Sequence, residues 1–453
     1  MAPCASPAWP SAPTRVVSCN QAGNQVHSAP MTEEVLPQPV AAAAATEPAV
    51  VSRNPFSVAG YRVWWAASVV AGTGVGIQAV TVPLFIRDRV SEDQRAAAIA
   101  AALICQTLPG AALALFGGVI ADRVERRRIL VRTYAVAAAV SLVYVALAGF
   151  EAGVIWPVFI LAAVVGSAGA FTNPARQSMM PQILHVSQIQ NGAIWGTMAF
   201  MATLQFGGPS IGGLLADGWG LTVAFAAEVA MLALAAVFFG RIATDMPVPT
   251  GRSVRHDLAE GIRYVRKDSS LLGILALGTV PGVFLMGPFA VTVVLMVEDV
   301  YEASDKYVGL LWGALGAGIV FGSILMSIFR SRRRGRLLSG SLVFGGSFWL
   351  LYGLSSWLPL SMALAFVAGI LGPAIFINFA VALLQENTDR QMMGRVMSMY
   401  GLSFSASIPI GYAQAGIQAS LWGPQVTIVS SAAVAVSIGL LAILFLRPVN
   451  RLP

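Results

Sequence analysis

One acid stands well inside an apolar run of this chain: Glu228, in FAAEVAML. An acid where a membrane helix would run is costly unless it is paired or used, so it is a functional candidate by default. A carboxyl group there can take up and give back a proton, the chemistry needed to couple transport to a proton gradient. A neutral packing role for the same glutamate stays open. A second acid, Asp122, stands in the polar interval GGVIADRVERRRIL, with Gly118 before it and Arg123, Arg126, Arg127 and Arg128 after it. Arginines beside an apolar run report the cytoplasmic side, and a glycine lets two helices approach closely. Taken alone, the interval reads equally well as a topology signal.

The elements that must hold these residues are long and apolar. Only 11% of the 453 residues are charged and 57% are hydrophobic, with a mean hydropathy of +0.73, whereas a soluble domain is about one quarter charged. From Val58 onward, runs of about 20 apolar residues recur, each enough to cross a hydrocarbon layer of about 30 Å. They cover 58–86, 96–120, 128–150, 154–175, 191–216 and 221–243, then 271–297, 306–329, 337–356, 359–384, 396–420 and 424–446. The fold expected is an all-α polytopic membrane protein, with twelve spans in two six-helix bundles at 55–243 and 271–446.

Residues 1–54 read as a disordered cytoplasmic tail without a cleavable leader, and Met31 offers an alternative start. The interval 244–270 reads as a cytoplasmic linker. Its Leu258, Ile262 and Val265 fall at the spacing of an amphipathic surface helix. Residues 447–453 are a second short tail. Cys4, Cys19 and Cys105, like His27, His185 and His256, are too scattered for a disulfide framework or a metal site.

With the amino terminus inside, 24 of the 28 Lys and Arg face the cytoplasm, and Arg87, Arg89, Arg95 and Lys306 fall outside. That asymmetry places both termini inside and assigns the net charge of +7 to topology rather than to nucleic acid. The two halves repeat in layout. RSRRRGRLL, residues 330–338, holds the place of the Asp122 interval without its acid, and Pro209 and Pro409 stand in corresponding spans. Gly/Pro-interrupted spans in paired positions are a mark of transporters built from repeats.

These residues resemble the major facilitator superfamily over nearly all of 55–446. Gly118, Ile120, Ala121, Asp122, Arg123, Arg126, Arg127 and Leu130 fit the family's loop signature, with Glu125 where glycine is usual. GPSIGG, with Gly208, Pro209, Gly212 and Gly213, fits the core of its antiporter motif, with Leu204 in place of the leading glycine. NPF, FTNPARQSMMPQIL, HDLAEGIRYVRKD and LLQENTDRQMMGRVMS are similar to the branch of enterobactin exporters and related siderophore and drug effluxers. The resemblance implies alternating access around a central cavity, with Asp122 acting as a latch against the start of the eleventh span, near Gly394–Ser398. It also implies a bacterial inner-membrane location.

No GxxxxGK[ST] loop is present, so a proton gradient is the expected energy source, with no cofactor and no metal. Glu228 is the candidate for coupling. The arginine that many drug antiporters carry in mid-span is not matched, because Arg176 falls at the cytoplasmic end of its run. Arg87 and Asp88 read as a rim pair, and Asp217 as structural. Gln78, Gln106, Asn191, Gln205, Asn378 and Gln414, with Trp195 and Phe376 as aromatic walls, are candidates to line the cavity. For each polar one, hydrogen bonding between helices is the competing reading. The function expected is proton-driven efflux of a siderophore, drug or amphiphilic metabolite by a monomer in contact with membrane lipids. Proton-coupled uptake and a non-transporting membrane sensor or anchor are the alternatives, and an enzyme is not expected.

Overall fold

The computed structural model describes residues 53–121, 124–150, 154–243, 254–328, 333–389 and 391–452, without the side chains of 114–121, 254–259 and 327. The expected tail, most of the linker's first half, and Asp122 and Arg123 therefore lie outside the described residues. Among the described residues every regular element is helical, and ten helices are long and apolar enough to cross a membrane. That follows from the sequence. Where apolar residues surround a helix on all sides it suits a membrane or a deep core, and in lipid a helix satisfies its own backbone polar groups.

The first half contains α1 (Ala59–Arg87), α2 (Glu92–Ala121), α3 (Arg126–Gly149), α4 (Trp156–Ile183), α5 (186–219) and α6 (Leu221–Gly240). A short helix, α7 (Val254–Lys267), links it to α8 (Ser269–Val300), α9 (Lys306–Ile328), α10 (Arg334–Leu354), α11 (Leu358–Glu386) and α12 (Met393–Phe445). Helix α4 runs eight residues past the expected end, through Pro174 and Pro181. Hydropathy marks where the apolar run stops, whereas the backbone continues as helix into the polar NPARQSMMPQ stretch.

Three helices carry π turns: Thr203–Gly207 in α5, first Gly282–Met286 and then Met296–Val300 in α8, and Ile370–Ala374 in α11. The α5 turn and the first α8 turn lead directly into Gly208–Pro209 and Gly287–Pro288. There the amide before each proline reaches back five residues, to the Thr203 and Gly282 carbonyls. Proline lacks an N–H and crowds the preceding turn, and a wider turn accommodates it.

Helix α12 folds back on itself at Gly423 (φ 78°, ψ 170°), a conformation open essentially to glycine alone. Gln414 donates to Ser431 at 2.8 Å, and Ser430 donates to Gln418 at 3.3 Å. Those pairs straddle Gly423, and a straight helix would hold Gln414 and Ser431 about 25 Å apart. Gly220, between α5 and α6, has nearly the same angles (φ 85°, ψ 165°).

The linker helix is fastened to the second half. Glu260 pairs with Arg395 at 2.8 Å, Tyr264 donates to Asp389 at 3.2 Å, and Gly261 lies against Met399. Two of the phrases carrying the branch resemblance, HDLAEGIRYVRKD and LLQENTDRQMMGRVMS, thus meet each other.

Candidate functional site

Glu228 on α6 is fully buried, and three other helices of the first half converge on it. Gln78 of α1 donates its Nε2 to Glu228 Oε1 at 2.9 Å, and Ser141 of α3 lies 2.5 Å from the same oxygen. Gln106 of α2 in turn donates to Gln78 Oε1 at 3.0 Å. Gln106 is half-buried and Gln78 almost wholly so, giving a hydrogen-bonded chain from a partly open position to a closed carboxyl group. Glu228 Oε2 is buried without a partner among the described residues.

The Ser141 hydroxyl has one hydrogen and two acceptors in reach, Glu228 Oε1 and the Ala137 carbonyl at 3.0 Å. With the carboxylate charged, Ser141 donates to it. With a proton on Oε1, that proton goes to Ser141 Oγ and the hydroxyl turns to Ala137. Both states use the same heavy-atom positions, so rotation of one hydroxyl keeps the carboxyl group hydrogen-bonded whether charged or protonated.

The Gly208–Gly213 motif sits where α5 meets two other helices. A Cβ on Gly208 would lie 2.6 Å from the Thr73 carbonyl oxygen and 2.7 Å from Gly76 Cα of α1. A Cβ on Gly213 would lie 2.9 Å from Gly309 Cα of α9, in the other half. The Pro209 carbonyl also presses on Gly309, and Gly212 packs on Ile77. The second half repeats this at a spacing of 203 residues: Gly411 packs on Gly287 of α8, and Gly416 on Ala100 of α2. The same spacing relates Gly220 to Gly423. It sets Tyr412, not Pro409, opposite Pro209, so the expected proline pairing is replaced by a pairing of glycines.

Ion pairs between the halves gather at one end of the bundle. Arg87 reaches Asp305 with two nitrogens, at 2.5 and 3.0 Å, besides its neighbour Asp88 at 2.7 Å and Glu298 at 3.7 Å. Arg95 meets Glu298 at 3.1 Å, and Lys306 stands 3.8 Å from Asp217. Ala96, Leu295 and Ala419 form a small apolar cluster beside them. Three of the four bases that break the inside bias are therefore tied to acids across the two halves. Sequence reasoning saw Arg87–Asp88 as a rim pair and missed Glu298 and Asp305. The signal available was the acidic stretch EDVYEASD facing those exceptional bases. Around the start of α12, a Cβ on Gly394 or Gly401 would meet nothing within 4 Å among the described residues.

The remaining candidates scatter. Gly118 falls in α2 and its surroundings, like Asp122 and Arg123, lie outside the described residues. Arg126 donates to Ser178 of α4 at 2.9 Å, and Arg127 is exposed. Asn191 donates to the Arg53 carbonyl and so fastens the segment before α1. Trp195 is 52% exposed and its carbonyl accepts from the Trp65 indole. Gln205 is half-buried with its carbonyl against Gly316 of α9. Asn378 is exposed and donates to Ser323, and Gln414 serves the α12 fold. Phe376 is only 2% exposed within the core and forms no cavity wall, because its face of α11 turns toward neighbouring helices. Arg176 is buried rather than at a wet helix end, its guanidinium 3.7 Å above the Phe200 ring.

A sequence profile of the transmembrane secretion effector family matches residues 51–452. Macrolide efflux protein A of Enterococcus faecalis is 25% identical over 310 residues, spanning 66% of this chain and 94% of its own length. The protein of that name from Streptococcus pyogenes is 23% identical over 367 residues, spanning 79% of this chain and 88% of its own. Among solved structures, a peptide transporter in complex with sulfate superposes with a TM-score of 0.68 at 13% identity, over 87% of this chain and 95% of its own. A nucleoside transporter gives 0.67 at 11% identity, over 85% and 99%. At these identities the superpositions speak for the fold alone. The profile covers nearly all of the described chain, and the chain belongs to the transmembrane secretion effector family, as a multi-pass transporter in the drug-efflux branch of the major facilitator superfamily.

Proposed function

We propose that this chain exports a bulky, largely apolar organic compound across a bacterial inner membrane in exchange for protons, with Glu228 as the coupling group. The observation that carries the reading is the Gln106–Gln78–Glu228–Ser141 chain, which supplies a buried carboxyl group with partners for both of its protonation states. The relatives' name suggests a macrolide-like substrate. Sparse internal polarity fits such an amphiphile better than a small ion.

We read α5 as one crossing and the two arms of α12 as two, giving twelve, with both termini inside. In that orientation the Arg87 end faces outward, where ion pairs and glycine contacts join the two halves. Asp122 would latch against the start of α12 when the inner side is closed.

The test uses proteoliposomes loaded with a radiolabelled macrolide under an imposed pH gradient. Wild-type flux should follow the gradient. Glu228→Gln should lose the gradient response yet keep substrate exchange at equal concentrations. Flux that ignores the gradient would rule out antiport, and full gradient response in Glu228→Gln would move the coupling site elsewhere.

A further inference from the structure

We infer that a groove between the start of α3 and the end of α6 binds the headgroup of an anionic glycerophospholipid, such as phosphatidylglycerol. The groove is lined by Glu125, Arg127, Arg128, Val131, Arg132 and Gly240. Three arginines face one glutamate. Arg128 answers that glutamate at 2.7 Å, and the Arg127 and Arg132 side chains are exposed, without an acidic partner among the described residues. Arg241, next to Gly240, is also exposed. Two guanidinium groups in a concave site recognise a phosphate diester by paired, charge-assisted hydrogen bonds.

A second observation says why the phosphate belongs to a lipid. Arg132 stands at the head of a stripe on α3 whose next exposed large residues are Val136, Leu142 and Val143. On α6, Val237 and Leu234 continue from Arg241 in the same way. The two helices pack side by side, with Gly240 against Val131. Apolar surface that a membrane protein leaves exposed along its spans faces acyl chains. A lipid seated here would set its phosphate on Arg127 and Arg132 and run its chains along both stripes. Arg127 also belongs to the loop signature around Asp122, so an occupied groove would hold the start of α3 beside the proposed latch. Basic pockets between membrane helices are known places for acidic headgroups.

The full-length protein, purified in a mild detergent, is titrated with phosphatidylglycerol or phosphatidylethanolamine, and retained lipid is counted by native mass spectrometry. The expected result is one preferentially retained phosphatidylglycerol. Arg127→Ala/Arg132→Ala should weaken that retention about tenfold, each arginine near a charged bilayer contributing several-fold. Arg127→Lys/Arg132→Lys should keep most of it, and Arg336→Ala, in the second half, should leave it unchanged. Melting temperature and gel-filtration profile check that each variant is folded. Millimolar glycerol phosphate should not displace the lipid if the acyl stripes contribute; displacement would reduce the site to a general phosphate site and overturn the lipid assignment. Equal retention of both lipids, or unchanged retention in the double alanine variant, would overturn the groove itself. None of these readouts depends on proton coupling or on the transported compound.

Discussion

The two halves share a frame and differ in what they bury inside it. A spacing of 203 residues carries Gly208, Gly213 and Gly220 onto Gly411, Gly416 and Gly423, and it carries Glu228 onto Ser431. Gly76 and Gly287 hold matching places on α1 and α8, and two residues further on stand Gln78 and Phe289. Where the first half has a glutamine serving a buried carboxyl group, the second has an aromatic ring. Phe289 lies 4.8 Å from both Trp312 and Trp349, measured between ring centres. Ser431 is buried and receives a hydrogen bond from Gln414. The glycines are common to both halves because close packing is a demand of the fold. Under the proposed function, protonation chemistry sits at Glu228 in the first half, whereas the matching places in the second half hold Ser431 and Phe289.

The largest expected effect tests that asymmetry. Glu228→Gln should abolish gradient-driven export, whereas Ser431→Ala in the matching place should leave the gradient response intact. Equal losses in both variants, measured in the same liposomes, would break the division of labour.

Next come the glycine contacts between halves. Valine at Gly213 or Gly309 forces backbone apart, and overpacking of this kind costs about 1–3 kcal/mol. At Gly416 the nearest atom is a side chain, Ala100 Cβ at 2.5 Å, so Gly416→Val should cost less. Spin labels at Ser91→Cys and Glu302→Cys, both exposed, with the native cysteines replaced by serine, should report a wider distance in the Gly213 and Gly309 variants. An unchanged distance would mean these glycines do not set closure.

Alanine at Gly220 or Gly423 should lower stability by similar amounts, about 1–3 kcal/mol, because both backbones sit at positive φ with ψ near 170°. Thermal melting in detergent measures it, and a large difference between the two would show that the halves do not share their turn.

The smallest effects belong to the ion pairs at the Arg87 end. Arg87→Ala removes contacts to three acids and Arg95→Ala to one. Each partly exposed pair contributes roughly 1 kcal/mol or less. Both variants should lengthen the spin-label distance, Arg87→Ala more so, and added salt should move wild type the same way. A salt-independent distance would show that packing alone closes this end.

Much of the frame was legible because hydropathy is a local property. Runs of apolar residues and the bias of arginines mark spans without knowledge of neighbours. The ends of α4 and α5 were not, since a helix continues into polar residues once its hydrogen-bond ladder is established. At the site, Glu228, Gln78 and Gln106 each stood out as polar residues in apolar surroundings, but nothing in their numbering joins them. Ser141 gave no signal, because a serine inside a membrane helix commonly bonds its own backbone. Phe376 misled for a related reason: an aromatic residue in a span reads alike whether it faces a cavity or the core.

By itself, then, the sequence determined a helical membrane protein, the places where its chain turns, and the residue types able to handle a proton. Those follow from transfer free energies and backbone sterics, which act residue by residue. Tertiary structure alone decided that Gln106, Gln78 and Ser141 form one hydrogen-bonded chain with Glu228, that Arg87, Arg95 and Lys306 meet Glu298, Asp305 and Asp217, and that the repeat is one of glycines rather than prolines. Such pairings depend on which faces of distant helices come within a few ångströms, and only the packed bundle sets that.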